Sequence, residues 1–439
     1  MPSATRRAVG ARVARGVAFV ALFVQPGATL AAEWFTEPTI SFGAEKHSNI
    51  TLTTLEHDDV TVLRATPAIR LGTQTETAGT DLNASLSILR YPGNDQLDKE
   101  NYNVGAATRY NGDQVGGRYG YNAGINFAQE SLLDSNLILN PDLGLARSAV
   151  TRRSSSLSGG FRWSLSPYAL AEIRGSWSDT QYSDDPLQQF FDFKSYAPEL
   201  VITWIATDRL RLVVSLSYAN SIFPDTNSGS LPPAPQRLSE PDNHTESRTT
   251  SGQLGARYAL TPKMDINASV GGRNTQTDSV QYQTVGSFLG TPLFDNVAVE
   301  SESSGTVYDL TYSWRPDERT QLDITAGQNV TPSGQSAGLL ARSFRGVYSY
   351  SLTERLNLDL TLNKSRVRSD AGTINFVGSA DRDYFRGDAR VSYRLSETWR
   401  LDASYSRARQ QYVNTTDVAT NDFVGMTLAW TPLRRYFSK

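Results

Sequence analysis

Three histidines, His47, His57 and His244, are the chain's whole supply of imidazole, and cysteine is absent. Thiol catalysis, zinc–thiolate sites and a disulfide framework are therefore excluded. His57 precedes Asp58 and Asp59, a grouping able to orient an imidazole or hold a metal ion. No second cluster with ligand spacing accompanies it, so a solvated loop is the better reading. All three histidines are expected in outer loops. Asp184-Asp185 and Asp381-Arg382-Asp383 lack the spacing of a calcium loop. The chain has no Walker-type Gly-rich loop. The expectation is a protein that is not an enzyme and uses no metal or cofactor.

A larger set of charged residues alternates with apolar ones. The run Arg386-Gly-Asp-Ala-Arg-Val-Ser-Tyr-Arg394 places Arg386, Asp388, Arg390 and Arg394 on one face of an extended segment. By the same rule Arg109, Arg118, Arg174, Arg211, Asp359 and Asp402 share a polar face, as do Arg64, Arg70, Arg162, Arg257, Arg400, Glu172, Asp265, Asp309 and Asp323. If that face lines a closed cylinder, two readings stay open. The charges set a field across a water-filled channel and tune which solutes pass. Otherwise they pair across strands and stiffen the wall, each hydrated pair being worth little.

The elements that would hold these residues are strands. In Arg355-Leu-Asn-Leu-Asp-Leu-Thr-Leu-Asn363 the leucines at 356, 358, 360 and 362 take one face and Asn357, Asp359, Thr361 and Asn363 the other. Alternation suits a soluble sandwich as well as a barrel in lipid. The connections decide. Tight turns at 166–167, 207–208, 261–262, 353–354 and 396–397, with looser ones at 72–80, 111–113 and 315–318, alternate with long polar stretches around 132–148, 180–190, 221–247 and 275–303. Short turns on one edge and long loops on the other are the asymmetry of outer-membrane barrels. The loop at 221–247 carries Leu231-Pro-Pro-Ala-Pro235 and Pro241, a stiff extended segment suited to a constriction, a lid or a plain connector. An aromatic ring lies close to nearly every tight turn: Tyr110, Trp163, Trp204, Tyr258, Trp314, Tyr350, Tyr393, Trp399 and Trp430. Amphipathic rings at one height mark a lipid–water boundary. Eight turns and nine loops predict an all-β, antiparallel up-and-down transmembrane barrel of about 18 strands, 16 being possible.

Residues 1–32 read as an address. Arg6, Arg7, Arg12 and Arg15 precede the apolar run 16–24, and small residues close the segment at Ala31-Ala32. The run falls far short of the ~20 residues of a spanning helix, so a secretory signal peptide is expected. The barrel then occupies 33–439, in the outer membrane of a Gram-negative bacterium with both termini in the periplasm. Removing four Arg leaves 42 − 4 = 38 basic against 45 acidic residues, a net of −7 against −3 for the whole chain. That balance argues against nucleic acid as a partner.

The segments Glu37-Pro-Thr-Ile-Ser-Phe42, Ser48-Asn-Ile50, Asp58-Asp59, Arg64-Ala-Thr-Pro-Ala-Ile-Arg70 and Leu89-Arg-Tyr91 with Asp95 and Asp98 resemble a known group. These are the outer-membrane β-barrel proteins of exopolysaccharide gene clusters, in the second putative β-barrel porin family. The hairpin form aromatic-x-Leu-Thr-Glu-Arg-Leu-x-Leu at Tyr350–Leu358, weaker at 204–212 and 393–401, extends the likeness over most of 34–432. The resemblance implies a barrel that assists export or assembly of a surface polysaccharide, with outer-membrane lipid, the polysaccharide and periplasmic export components as partners. It implies no active-site residues. One departure stands out: the chain continues past Trp430 through Arg434, Arg435, Tyr436, Phe437 and Lys439 instead of stopping on a terminal aromatic. A general small-solute porin, a structural surface barrel with a filled lumen and an outer-membrane hydrolase are the competing expectations.

Overall fold

In the computed structural model the described residues are 33–54, 57–133, 150–183, 190–224, 238, 243–288, 291–334, 336–369, 381–413 and 416–437. Residues 1–32, expected as the signal peptide, lie outside them, as do Leu231–Pro235, Pro241 and Asp184-Asp185. The chain forms β1 (Glu33–His47), β2 (Val60–Gln74), β3 (Ala78–Arg90), β4 (Lys99–Tyr110), β5 (Tyr119–Ser131), β6 (Thr151–Ser166), β7 (Ala169–Ser183), β8 (Phe193–Ile205) and β9 (Leu210–Phe223). There follow β10 (His244–Thr261), β11 (Met264–Phe288), β12 (Thr291–Trp314), β13 (Thr320–Ser333), β14 (Ser336–Ser351), β15 (Leu356–Ser369), β16 (Arg382–Arg394), β17 (Trp399–Tyr412), β18 (Val418–Trp430) and the short β19 (Arg435–Phe437). Each of β1–β17 pairs antiparallel with the next, and β18 returns to β1 from Ile40↔Trp430 to His47↔Phe423. The sheet is a closed barrel of 18 strands. Closure leaves no lateral edge, which is what lets strands cross lipid with their backbone groups satisfied.

The outer wall explains the alternation. On β8 and β9, Leu200, Ile202 and Trp204 and then Leu212, Val214 and Leu216 all face outward and are exposed. Leu157, Phe161 and Trp163 on β6 continue the belt, as do Leu360 and Leu362 on β15 and Val424 and Met426 on β18. A continuous apolar surface of this extent is stable against acyl chains and not against water. The aromatic residues Tyr110, Trp163, Trp204, Tyr258, Trp314, Tyr350, Tyr393, Trp399 and Trp430 all lie beside the turns at one end of the barrel. A second set (Trp177, Tyr196, Tyr308, Phe344, Phe385 and Tyr405) is exposed on the same face nearer the loops. Six to eight residues separate the two sets along a strand. At ~3.4 Å per residue and a tilt near 40° that is roughly 16–21 Å, most of the ~25 Å band of a spanning barrel.

The turn end is built by one repeated device. Thr207 Oγ1 accepts the N–H groups of Arg209 (3.2 Å) and Leu210 (3.0 Å), and Thr353 Oγ1 accepts those of Arg355 (3.2 Å) and Leu356 (3.0 Å). Ser396 Oγ takes those of Thr398 (3.3 Å) and Trp399 (3.1 Å), and Asp317 Oδ1 those of Arg319 (2.8 Å) and Thr320 (2.7 Å). A short polar side chain thus closes each turn on its own backbone. Those two N–H groups hold the Asp317 carboxyl below the ordinary carboxylate range.

The loop end departs from expectation in one region. Of residues 275–303, expected as a loop, 275–288 and 291–303 are strand: β11 and β12 pair with each other from Met264↔Trp314 to Phe288↔Thr291. Their polar composition misled because the upper hairpin rises beyond the apolar belt, where alternation no longer separates lipid from lumen. β12 accordingly starts at Thr291 instead of near 304. Its pairing with β13 covers seven residue pairs, Tyr308↔Gln328 to Trp314↔Leu322, so the hairpin leaves the wall above Tyr308.

Candidate functional site

The lumen is the site to which the polar faces converge. Arg174, Arg211 and Arg257 line one cavity of about 780 Å³ with Arg162, Glu172, Glu199, Asp265 and Asp309. Arg211, Arg257 and Asp265 also border a second space of about 550 Å³ that reaches the turns at Asp208 and Lys263. Parity places Arg109, Asp359, Arg386, Asp388, Arg390, Arg394 and Asp402 on the same inner face, with Arg118 at the turn between β4 and β5.

Both readings of these charges are realised, in different residues. Arg162 Nε lies 2.6 Å from Asp113, Arg174 Nε 2.8 Å from Glu172, Arg386 Nη2 2.7 Å from Asp388 and Arg400 Nε 3.1 Å from Asp402. Asp359 accepts a 2.6 Å bond from Ser349 Oγ. These are wall pairs. The side chains of Arg109, Arg118, Arg211, Arg390 and Arg394 have no ion pair among the described residues. The stripe on β16 is therefore divided: Arg386 is buried and matched, while Arg390 and Arg394 are exposed.

Burial changes along the axis of the barrel. Near the turns the inner face is wet, with the Arg257 and Arg400 side chains 56% and 58% exposed. Near the loops it is dry: Thr245, Ser247, Thr275, Thr277, Ser406 and Gln410 are all buried. An apolar cluster crosses this dry end. Leu132, Val150 and Phe190 pack together with Tyr182 of β7 and Tyr412 of β17, strands on nearly opposite walls. Phe191, Phe193 and Phe223 extend it through Tyr182, whose ring stacks on Phe190 at 5.1 Å. The β13–β14 tip leans in as well. Gly334 O accepts the Phe191 N–H at 2.8 Å, and a Cβ on Gly334 would come within 2.8 Å of the Tyr182 ring. Glycine is needed there for that approach. Asp192, exposed between the buried Phe191 and Phe193, has its carboxyl raised above the ordinary carboxylate range by desolvation from these neighbours, against the opposing effect of the Tyr182 N–H that it accepts at 2.8 Å.

The constriction was not foreseen, because its rings come from loops and strand ends far apart in sequence. The histidines also need correction. His47 was expected in a loop and is the last residue of β1, buried on the inner wall 3.5 Å from Glu45 and with its ring 4.8 Å from Phe423. His244 opens β10, while His57 is in a loop. Asp59 pairs with Lys46 at 2.8 Å. Asp381 accepts the Ser369 N–H and Asp383 pairs with Arg366 and Arg368, so neither is arranged as a cation ligand. Among the described residues no group of three or more metal-ligating side chains occurs. Gly334-Gln335-Ser336-Ala337-Gly338, of which Gln335 lies outside the described residues, has the spacing of a hydrolase nucleophile elbow. It joins strand to strand, whereas that motif requires a strand-to-helix turn.

These features define the molecule. It is a membrane-spanning β-barrel whose inner face is exposed near the turns and packed with apolar clusters near the loops. No family model matches the chain and no curated sequence matches it, so the resemblance stated above stands on its quoted residues alone. Solved structures do match. The ferric-catecholate import receptor Fiu from E. coli K12 aligns with a TM-score of 0.45 at 10% identity, over 90% of this chain and 81% of the receptor. The ferric yersiniabactin uptake receptor FyuA from Yersinia pestis gives 0.43 at 11%, over 93% and 81%. The outer membrane protein opdK from Pseudomonas aeruginosa gives 0.41 at 10%, over 92% and 99%. At these values the architecture rests on this chain's own strand pairing, and the cargoes of those proteins remain theirs.

Proposed function

We propose that the chain forms a gated passage across a bacterial outer membrane, with the turn end in the periplasm. The observation that carries this reading is the burial gradient inside the barrel: charged and exposed at the turns, apolar and packed at the loops. A solute entering from the turn side meets unpaired guanidinium groups, which favour anions. It then meets a hydrophobic constriction, which resists ion passage until displaced. The role is transport without covalent chemistry. The cargo we assign is a surface or extracellular polysaccharide handed over by periplasmic export components, a choice supported by the resemblance of the first two strands and the repeated hairpins. An anionic polymer suits the arginine-lined entrance.

A permanently open general porin fits the constriction poorly. A structural barrel with a filled lumen is the reading it competes with, favoured by the dry loop end. Planar-bilayer recording separates the three. Rare openings are expected for the native barrel and frequent ones for a Tyr182→Ser, Phe190→Ser variant. Large steady steps from the native barrel would point to an open porin, and silence from both proteins to a filled one. For the cargo, a deletion strain that still releases normal amounts of polysaccharide would remove the assignment.

A further inference from the structure

We infer that the outer surface of β14–β17, immediately above the apolar belt, binds the headgroup of a membrane lipid carrying more than one phosphate. The belt on these strands ends in exposed Phe344, Leu362, Phe385 and Tyr405. The next outward positions toward the loops are Arg342 on β14, Lys364, Arg366 and Arg368 on β15, and Arg407 and Arg409 on β17. Register brings them side by side, with Arg342 opposite Arg366, Phe344 opposite Lys364 and Phe385 opposite both Lys364 and Arg409.

Among the described residues, six cations on this surface face three carboxylates. Asp383 lies 3.0 Å from Arg366 and 2.8 Å from Arg368, Asp381 follows it toward the loops and accepts the Ser369 N–H, and Asp422 lies 3.9 Å from Arg407 and accepts a bond from the Tyr405 hydroxyl. The surplus is three positive charges. Elsewhere at the same height the excess is smaller or reversed: Arg90 lies between Asp98 and Glu100, Arg248 between Glu246 and Asp278, Arg153 and Lys194 share the single acid Asp179, and β12 presents Glu300 and Glu302. The patch is a local feature of the collar.

Its position and extent identify the ligand. Cations just beyond a belt meet lipid headgroups, and long Lys and Arg stems keep contact with the apolar edge while their heads reach the phosphate layer. Guanidinium groups present paired donors matched to phosphate oxygens. Four adjacent strands span ~14 Å, and Lys364 to Arg368 a further ~13 Å along the strand. A single phosphodiester would leave most of the six cations unmatched, whereas a headgroup with separated phosphates would engage them together. The site lies on the outer wall and is independent of whether the lumen conducts.

The test is native mass spectrometry of the intact barrel in non-ionic detergent, with diphosphorylated lipid A and phosphatidylglycerol offered in turn. Retention of the diphosphorylated glycolipid is expected to exceed that of phosphatidylglycerol about tenfold, and to fall by about as much in a Lys364→Gln, Arg366→Gln, Arg407→Gln, Arg409→Gln variant. An Arg153→Gln, Lys194→Gln variant, altered on the far wall, should retain the native level. Heat-modified gel mobility confirms that each barrel is folded. Should the fourfold variant not fold, Lys364→Gln with Arg409→Gln carries the comparison, with a loss of about threefold expected. Equal retention of the two lipids, or retention unchanged by the substitutions, would overturn the site.

Discussion

At the scale of single residues, the sequence disclosed which side of the wall a residue occupies far better than what it does there. Arg386, Arg390 and Arg394 were legible as one inward stripe because a strand's side chains alternate without exception between bulges. Their division was not legible. Whether a guanidinium is matched depends on its neighbours: Asp388 holds Arg386, whereas Arg390 faces Asp359, whose oxygen is already engaged by Ser349. This predicts unequal effects on permeation. Arg390→Ser with Arg394→Ser is expected to move the reversal potential of the open barrel toward cation preference under a salt gradient. Arg386→Ser is expected to leave selectivity nearly unchanged and to lower thermal stability instead, because it strands a partly buried Asp388. The reverse pattern would show that ions pass along the other wall. His47 illustrates the same limit. A histidine beside a polar stretch looks like a loop residue, and the pairing of β1 with both β2 and β18 puts it in a buried wall.

At the scale of elements, the tight turns were readable because their chemistry is local: Thr207, Asp317, Thr353 and Ser396 bond to groups two and three residues away. The long hairpin of β11 and β12 was not, since alternation marks a strand only where its two faces meet different solvents. The constriction is an assembly of element ends, and one of its groups titrates. Desolvation by the packed rings beside it raises the exposed Asp192 carboxyl above its ordinary range, so ionisation there opposes the packed state. The sign follows by linkage. The stabilisation from a neutral Asp192 is complete below the ordinary carboxylate value and is lost as pH rises through the elevated one. Openings in a planar bilayer should therefore become more frequent as pH is raised from about 4 toward 7. In Asp192→Asn that rise should be absent, with openings held near the acid level. An identical pH profile in the variant would assign the response to another group.

At the scale of the whole molecule, strand number and closure into an up-and-down barrel followed from periodicity and turn spacing, but the register of the closing seam did not. The seam joins residues almost the full chain length apart, and alternation carries no information about which residue of the last strand meets which of the first. The chain's continuation past Trp430 looked like a departure from a barrel ending. In the fold it prolongs the closing seam. After a one-residue shift β19 resumes the ladder on β1, from Thr36↔Arg435 to Trp34↔Phe437. Arg434 bonds Glu37 at 3.0 Å and lies over the Phe35 ring at 4.4 Å. Three added backbone pairs and a partly shielded cation should stabilise the join of first and last strands by about 2–4 kcal/mol. Ending the chain after Trp430 is therefore expected to yield a barrel that still folds, because the eight pairs from Ile40 to His47 remain. It should melt several degrees lower in heat-modified gel mobility, since this much free energy shifts the midpoint of a domain by a few degrees or more. Arg434→Ala should reproduce up to about half of that loss, as the ion pair and the ring contact disappear while the ladder stays. If truncation left the melting temperature unchanged, the seam between β1 and β18 would be closed by its first eight pairs alone. Residues 431–437 would then be a passenger on the barrel.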